Sequence, residues 1–262
     1  MKENKGQFRT IYKIDTQFFH DKNKHFYYFL GLMSSDGNVK NDSVFSFTQS
    51  NEKGEKLISF VQEFLKSNHV KYYNTKNNSY TITVSNKEIV KILKEFNVIK
   101  NKTLSYSLPE KINHQQLKYF LQGYIEGDGS IGIYDNGRGV KSLIVSIVGT
   151  EQFIKSLNNK LSSKGNVRKI KKCKNLYEIR YNGKKALDLC YEIYEDPIYS
   201  NGKHNSFLNF VNDSEVGKRY KKYYQIKNIV ISKLICGFDI GELSKEYGVP
   251  KKTLYTWRYR GT

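Results

Sequence analysis

The sequence predicts an α+β fold: two pseudo-symmetric αββαββα halves in tandem, followed by a small all-α domain. Three observations carry this. Helical and alternating apolar periodicities succeed one another in the same order twice, the mark of a degenerate internal duplication. Two aromatic-aliphatic runs, His25–Leu30 and Leu117–Gln122, each lead through a glycine to an Asp-Gly pair, Asp36-Gly37 and Asp128-Gly129. The last stretch has helical patterning only. The expected divisions are residues 1–103 for the first half, 104–215 for the second and 216–262 for the helical domain.

Residues 1–22 are polar with scattered aromatics, Phe8, Tyr12, Phe18 and Phe19, and are expected to wrap onto the first half. A first apolar helix runs from about Lys24 to Ser35. Asn38–Gln49 reads as a hairpin turning at Asn41-Asp42, with Val44–Phe47 alternating as a strand. Glu52–Lys66 is amphipathic, with Leu57, Phe60, Val61, Phe64 and Leu65 on one face. Val70–Thr75 and Tyr80–Ser85 pair around Lys76–Ser79. Lys87–Phe96 closes the half with Ile89, Ile92, Leu93 and Phe96 inward. In the second half, Ser130–Tyr134 and Val140–Val148 are strands joined through Asn136–Gly139. Thr150 N-caps a helix reaching Ser162. Val167–Lys172 and Leu176–Tyr181 are strands, and Lys184–Tyr194 is a helix. Beyond these, Lys218–Cys236 reads as a long helix and Asp239–Tyr247 as a short one. Gly248-Val-Pro250 is a turn before a last helix, Lys251–Tyr259.

The two Asp-Gly ends are where chemistry is expected. Gly31 and Gly123 lie mid-helix and, lacking side chains, let the two helices approach closely at a helix interface. Gly37 and Gly129 read as glycine C-caps. If the helices pack together, Asp36 and Asp128 meet at the base of the pair. There the unpaired carbonyls and the negative ends of two helix dipoles add to two carboxylates. Such a trap suits a hard divalent cation with oxygen ligands, Mg²⁺ or Mn²⁺.

The chain carries 44 Lys and Arg against 25 Asp and Glu, a net charge of +19. That excess implies a polyanionic partner, most simply nucleic acid. Cys173, Cys190 and Cys236 are widely spaced without a CxxC, which points to a reducing compartment and away from structural zinc. No apolar run reaches transmembrane length. A cytoplasmic protein without membrane contact is expected. No His cluster and no Ser or Cys nucleophile constellation is visible.

Phe29–Gly37 (Phe-Leu-Gly-Leu-Met-Ser-Ser-Asp-Gly) and Leu121–Gly129 (Leu-Gln-Gly-Tyr-Ile-Glu-Gly-Asp-Gly) are similar to the two copies of the LAGLIDADG motif. Over roughly residues 20–212 the chain resembles a single-chain, two-motif LAGLIDADG homing endonuclease. The second copy follows the pattern. The first departs from it at Leu30, a small-residue position, and at Ser34, where an acid is common. The resemblance implies two saddle-shaped antiparallel sheets around a central helix pair, with Asp36 and Asp128 as metal ligands. It implies Mg²⁺-dependent cutting of a long asymmetric double-stranded DNA target by a monomer, and a link to a mobile intron. It further implies a water-network role for Gln49, whose counterpart in the second half is Gly149. A lysine is implied after the last helix of each half: Lys100 or Lys102 in the first, Lys203 in the second.

DNA contact is expected over the hairpin sheets. Arg168-Lys-Ile-Lys-Lys172 is the densest basic stretch, with Lys164 beside it, and alternation puts about half of its side chains on one face. Lys169, Lys171, Lys172, Arg180, Lys71, Tyr73 and Arg138 are the other candidates. The turn at Gly248-Val-Pro250 resembles that of a resolvase or transposase helix-turn-helix, in which Lys252, Thr253, Tyr255 and Arg258 face the major groove. Two other readings fit the same scaffold: a maturase that binds intron RNA, and a DNA-binding regulator that does not cut. Retention of both acids favours cleavage, because an RNA binder has no need of paired metal ligands.

Overall fold

The computed structural model describes residues 12–135, 141–171 and 173–260. Phe8, Arg138, Lys172 and the expected link at Asn136–Gly139 lie outside them. The chain forms two compact units: one runs through Tyr134 and includes Leu143–Ser206, and the other is built mainly from Phe207 onward.

The first unit opens with α1 (Gln17–Asp21), whose buried Phe18 and Phe19 stack edge-on against Phe26 and Phe29 of α2 (Lys24–Ser35). Asn23 caps α2 by accepting from the backbone N–H groups of His25 and Phe26. There follow β1 (Gly37–Val39), β2 (Val44–Ser50), α3 (Asn51–Phe64), β3 (Tyr72–Asn74), β4 (Ser79–Ser85) and α4 (Lys87–Glu95). The second half repeats this order: α5 (His114–Asp128), β5 (Gly129–Asp135), β6 (Lys141–Thr150), α6 (Glu151–Lys160), β7 (Asn166–Lys169), β8 (Leu176–Asn182) and α7 (Lys184–Ile193). An Asn113/Gln116 capping box starts α5, and Thr150 caps α6 as its position predicts.

The fold is α+β with two four-stranded antiparallel sheets, ordered β1-β2-β4-β3 and β5-β6-β8-β7. Strand alternation decides what covers each sheet. In the first, Phe45 pairs with Val84 and Phe47 with Ile82, all fully buried beneath α3 and α4. In the second, Val145 pairs with Tyr181 and Ile147 with Ile179 beneath α6 and α7. The other face of the first sheet carries Thr48, Thr81, Thr83 and Tyr72. The other face of the second carries Ser146, Arg168, Glu178 and Arg180.

The motif helices α2 and α5 pack against each other, and two glycines set their separation. A Cβ on Gly31 would lie 2.0 Å from the Phe120 carbonyl oxygen, and one on Gly123 would lie 2.0 Å from that of Tyr28. Backbone therefore meets backbone, as the glycine positions predict. The expected role of Gly37 and Gly129 is corrected. Neither takes the left-handed conformation; Gly129 is extended, with φ −113°. A side chain is excluded for another reason: the chain folds back over the last helical turn. A Cβ at Gly37 would meet the Met33 backbone at 2.6 Å, and one at Gly129 would meet the Ile125 Cα at 2.7 Å.

Several boundaries also move. The strand expected over Val167–Lys172 ends at Lys169, leaving Lys171 beyond it. Phe60 and Phe64 are only half-buried, and Ile58 joins Leu57 and Val61 on the covered face of α3. An unanticipated helix, α8 (Lys203–Asp213), follows the second half, its apolar Phe207, Phe210 and Val211 being few in a polar run. In the second unit, α9 (Glu215–Ile235) begins earlier than Lys218 because Ser214 caps it, accepting from Gly217 N–H. α10 (Ile240–Tyr247) is capped by Asp239. The chain then turns through Gly248, at φ +64°, into α11 (Lys251–Arg260). Val230, Leu234, Ile240, Leu243, Val249, Leu254 and Trp257 form this unit's own core. Among the described residues, no helix is long and apolar enough to cross a membrane.

Candidate active site

Close packing of α2 on α5 brings their C-terminal ends together. Asp36 terminates one and Asp128 the other. The approach is tight enough that a Cβ on Gly127 would stand 2.5 Å from Asp36 Oδ2 and 2.3 Å from Ser35 Oγ. A larger residue before Asp128 would displace Asp36.

Two carboxylates this close raise each other's proton affinity. Burial, then the charge of Asp36, pushes Asp128 up to about 6, against the opposing pull of Lys102 and Lys203. Burial also raises Asp36, while a hydrogen bond from Gln49 and the same two lysines hold it down. Gln49 Nε2 donates to Asp36 Oδ2 at 2.5 Å. Asp128 keeps an exposed edge. A carboxyl whose proton affinity rises on folding stabilises the fold while protonated, and that contribution is lost as pH climbs through the folded value. Asp128→Asn should therefore raise unfolding free energy by roughly 1–2 kcal/mol at pH 8 with EDTA, a figure about halved for solvent exposure. The gap should close below about pH 4, where Asp128 is protonated in both states. Urea titrations at both pH values measure it, and equal stabilities at pH 8 would contradict the assignment of repulsion.

The two lysines flank the pair. Of the two candidates left open by spacing, Lys102 is 6% exposed and its Nζ donates to the Ser35 carbonyl at 3.0 Å. Lys100 is exposed. Lys203 does the equivalent for α5, donating to the carbonyls of Ile125 at 2.6 Å, Glu126 at 2.9 Å and Gly129 at 2.5 Å. Each lysine thus occupies the carbonyl end of its own half's motif helix, where a cation meets the dipole favourably. Burial lowers the pKa of both, and the nearby aspartates offset it; for Lys203, Glu126 is the largest offset.

Sequence reasoning missed what anchors these lysines. Glu126 Oε1 accepts from the Lys203 backbone N–H at 2.9 Å. At the corresponding place in the first motif, Ser34 Oγ accepts from Tyr106 Oη at 2.7 Å, and Tyr106 N–H in turn bonds the Lys102 carbonyl at 2.8 Å. The signal lay in the motif itself, whose remaining polar position is filled differently in the two copies.

Among the described residues, no group of three or more His, Cys, Asp or Glu gathers in metal-binding fashion. The protein ligands open to a cation are the two carboxylates, since the lysines already engage the neighbouring helix-end carbonyls. An all-oxygen pair with excess negative charge fits Mg²⁺ or Mn²⁺ and not a soft metal, with water and phosphate oxygens filling the remaining positions.

The surface candidates are scattered. Arg168 and Arg180 share the uncovered face of the second sheet, and Arg168 is ion-paired with Glu178 between them. Lys169 falls on the α6 side, and Lys171 is exposed past the strand. Lys164 donates to the Asn158, Asn159 and Leu161 carbonyls and so caps α6. Lys71 bonds Glu55 at 3.0 Å and Ser59 at 2.9 Å on the α3 side, and Tyr73 shares that parity. The uncovered face there belongs to Tyr72, which is 67% exposed, with Thr48, Thr81 and Thr83. Counting in twos from buried Phe47 separates the two faces. On α11, Lys252, Tyr255 and Arg258 are exposed and Thr253 is half-buried.

No protein-family model matches the sequence, and no curated protein does. Solved structures do. The I-LtrWI LAGLIDADG homing endonuclease bound to target DNA aligns over 92% of this chain and 97% of its own, with a TM-score of 0.43 and 15% identity. The LAGLIDADG meganuclease I-AabMI bound to uncleaved DNA aligns over 80% of this chain and 92% of its own, with a TM-score of 0.48 and 13% identity. I-DmoI in complex with DNA and Ca aligns over 70% and 95%, with a TM-score of 0.47 and 14% identity.

Proposed function

We propose that this chain is a site-specific double-strand DNA endonuclease of the LAGLIDADG homing type, a divalent-metal phosphodiester hydrolase. The observation that supports it most is the juxtaposition of Asp36 and Asp128 at the ends of two abutting helices, with a buried or half-buried lysine beside each end. Asp36 and Asp128 would hold Mg²⁺ or Mn²⁺. When bound, such ions neutralise phosphate charge and raise the acidity of a coordinated water. Gln49 fixes the Asp36 carboxylate. Lys102 and Lys203 supply positive charge where negative charge builds on the phosphate, an arrangement that helps most in a partly dry site.

The uncovered sheet faces would meet the duplex, through Thr48, Thr81, Thr83 and Tyr72 in one half and Arg168 and Arg180 in the other. Both halves lie in one chain, which suits an asymmetric target read by a monomer. In the second unit, α11 points Leu254 and Trp257 inward and leaves Lys251, Lys252, Tyr255 and Arg258 exposed with no acid in the helix. It would add major-groove contacts as a helix-turn-helix.

Iterative binding selection from randomised duplexes, followed by cloning of the recovered sequence into a supercoiled plasmid, tests this. Linearisation at one place with Mg²⁺, and none with EDTA, is expected. Binding without cutting would favour the non-cleaving regulator. Lys102→Met and Lys203→Met should each slow cutting by about 10²-fold, the usual cost of one electrostatic donor at a reacting centre. Lys100→Met should leave the rate unchanged; equal losses at Lys100 and Lys102 would contradict the placement. Affinity should also fall steeply with salt, by about 10³-fold or more between 50 and 200 mM if six or more phosphates are contacted. Fluorescence anisotropy reads this, and a flat salt profile would exclude the basic surface as the DNA contact.

A further inference from the structure

The two halves of the candidate site are not equivalent, and the difference lies in packing. At the end of β2, Gln49 projects toward the helix pair and donates to Asp36. Room for it comes from Gly54 in the first turn of α3, where a Cβ would lie 2.6 Å from Gln49 Cβ and 2.8 Å from its backbone carbon. At the matching point of β6 stands Gly149, paired with Tyr177 as Gln49 is paired with Tyr80. Its side-chain volume is taken. A Cβ there would meet Phe153 Cδ1 at 2.6 Å and Tyr124 Oη at 3.1 Å. Those two rings stack with centroids 4.4 Å apart, and Phe153 is fully buried. The Tyr124 hydroxyl that comes nearest is committed to the Val148 carbonyl at 2.9 Å. The small residue therefore sits on the helix in one half and on the strand in the other. The consequence falls on the aspartates. Asp36 has a fixed carboxamide donor; among the described residues, no side chain donates to Asp128.

We propose that the two carboxylates serve unequal centres, so that the DNA strand served by Asp36 opens first and a nicked duplex accumulates before the second cut. This deepens the nuclease reading above and rests on it. Each cut is a hydrolysis: a water oxygen bonds to phosphorus, one ester P–O bond breaks, and the water's proton ends on the departing sugar oxygen. A carboxylate held in one orientation keeps its ligands aligned for that step, whereas one without a partner must be ordered each time. Gln49 acts through Asp36 and is a positioning residue.

The test is a time course on the supercoiled plasmid carrying the selected sequence, with Mg²⁺, scored for supercoiled, nicked and linear forms. Sequencing of the nicked form identifies the strand. For the unsubstituted protein, a nicked pool broken always in the same strand should rise before linear DNA. Gln49→Ala should slow that strand by about tenfold or more and leave the other within about threefold, erasing or reversing the order. Gln49→Glu keeps the length but loses the donor and should behave like Gln49→Ala. A merely structural role for Gln49 would slow both strands alike. Equal strand rates in the unsubstituted protein, or equal slowing of both strands by Gln49→Ala, would overturn the inference while leaving the nuclease reading intact. Absence of any cutting by the unsubstituted protein would overturn both.

Discussion

Asp36→Asn and Asp128→Asn will each reduce double-strand cutting of the selected sequence by at least about 10³-fold, while affinity for it stays within a few-fold. The amide keeps the size and most hydrogen-bonding capacity of the side chain but loses its charge. With only two carboxylates open to the cation, the loss of either halves the protein's contribution to its binding. Affinity is spared because it rests on the basic surface, and the chain keeps a large positive excess after either change. Neutralising one aspartate also relieves the repulsion that pushes Asp128 up to about 6. The inactive Asp128→Asn protein should therefore be the more stable one at neutral pH. Loss of activity together with a gain in stability would mark a charge retained for chemistry; loss of both would point to a misfolded variant instead.

Gly31→Ala and Gly123→Ala should each destabilise the first unit by about 3 kcal/mol or more. The atoms in the way are main-chain oxygens, at 2.0 Å in both cases, so no rotamer change relieves the clash. The helices must move apart along their whole contact, and the fully buried Phe29, Leu32, Phe120 and Leu121 lose packing with them. The better helix propensity of alanine returns only about 1 kcal/mol. Gly132→Ala, where nothing lies within 4 Å of the added carbon, is the matched control and should be nearly neutral. Urea unfolding compares the three. Small, equal effects at Gly31 and Gly132 would show that the helix pair is looser than the packing described. Separation of the helices also separates Asp36 from Asp128, so surviving Gly123→Ala protein should cut poorly even where it is folded.

Much of the fold was legible because its periodicities are clean. Alternation around Phe45 and Phe47, the Thr150 cap and the glycines of α2 and α5 all specify local structure through side-chain chemistry that a single sequence displays. What was not legible depends on which neighbour arrives. Gly37 and Gly129 look like left-handed caps, yet what excludes a side chain there is the preceding helical turn. Lys164 and Lys71 look like phosphate ligands in a basic protein, but a helix end claims one and Glu55 the other. Spacing alone left Lys100 and Lys102 equal; burial beside Ser35 separates them. α8 escaped notice because three apolar residues in a polar run are a weak signal before a partner surface exists.

The central claim is that one cation pocket is shared by two helix ends. Crystals of the complex between this protein and its selected DNA, grown with Mn²⁺ and measured at the manganese absorption edge, test it most directly. The account predicts anomalous density within about 2.2 Å of carboxylate oxygens of both Asp36 and Asp128, and touching the phosphate backbone. Manganese bound elsewhere, or DNA seated with neither aspartate near a metal, would contradict it.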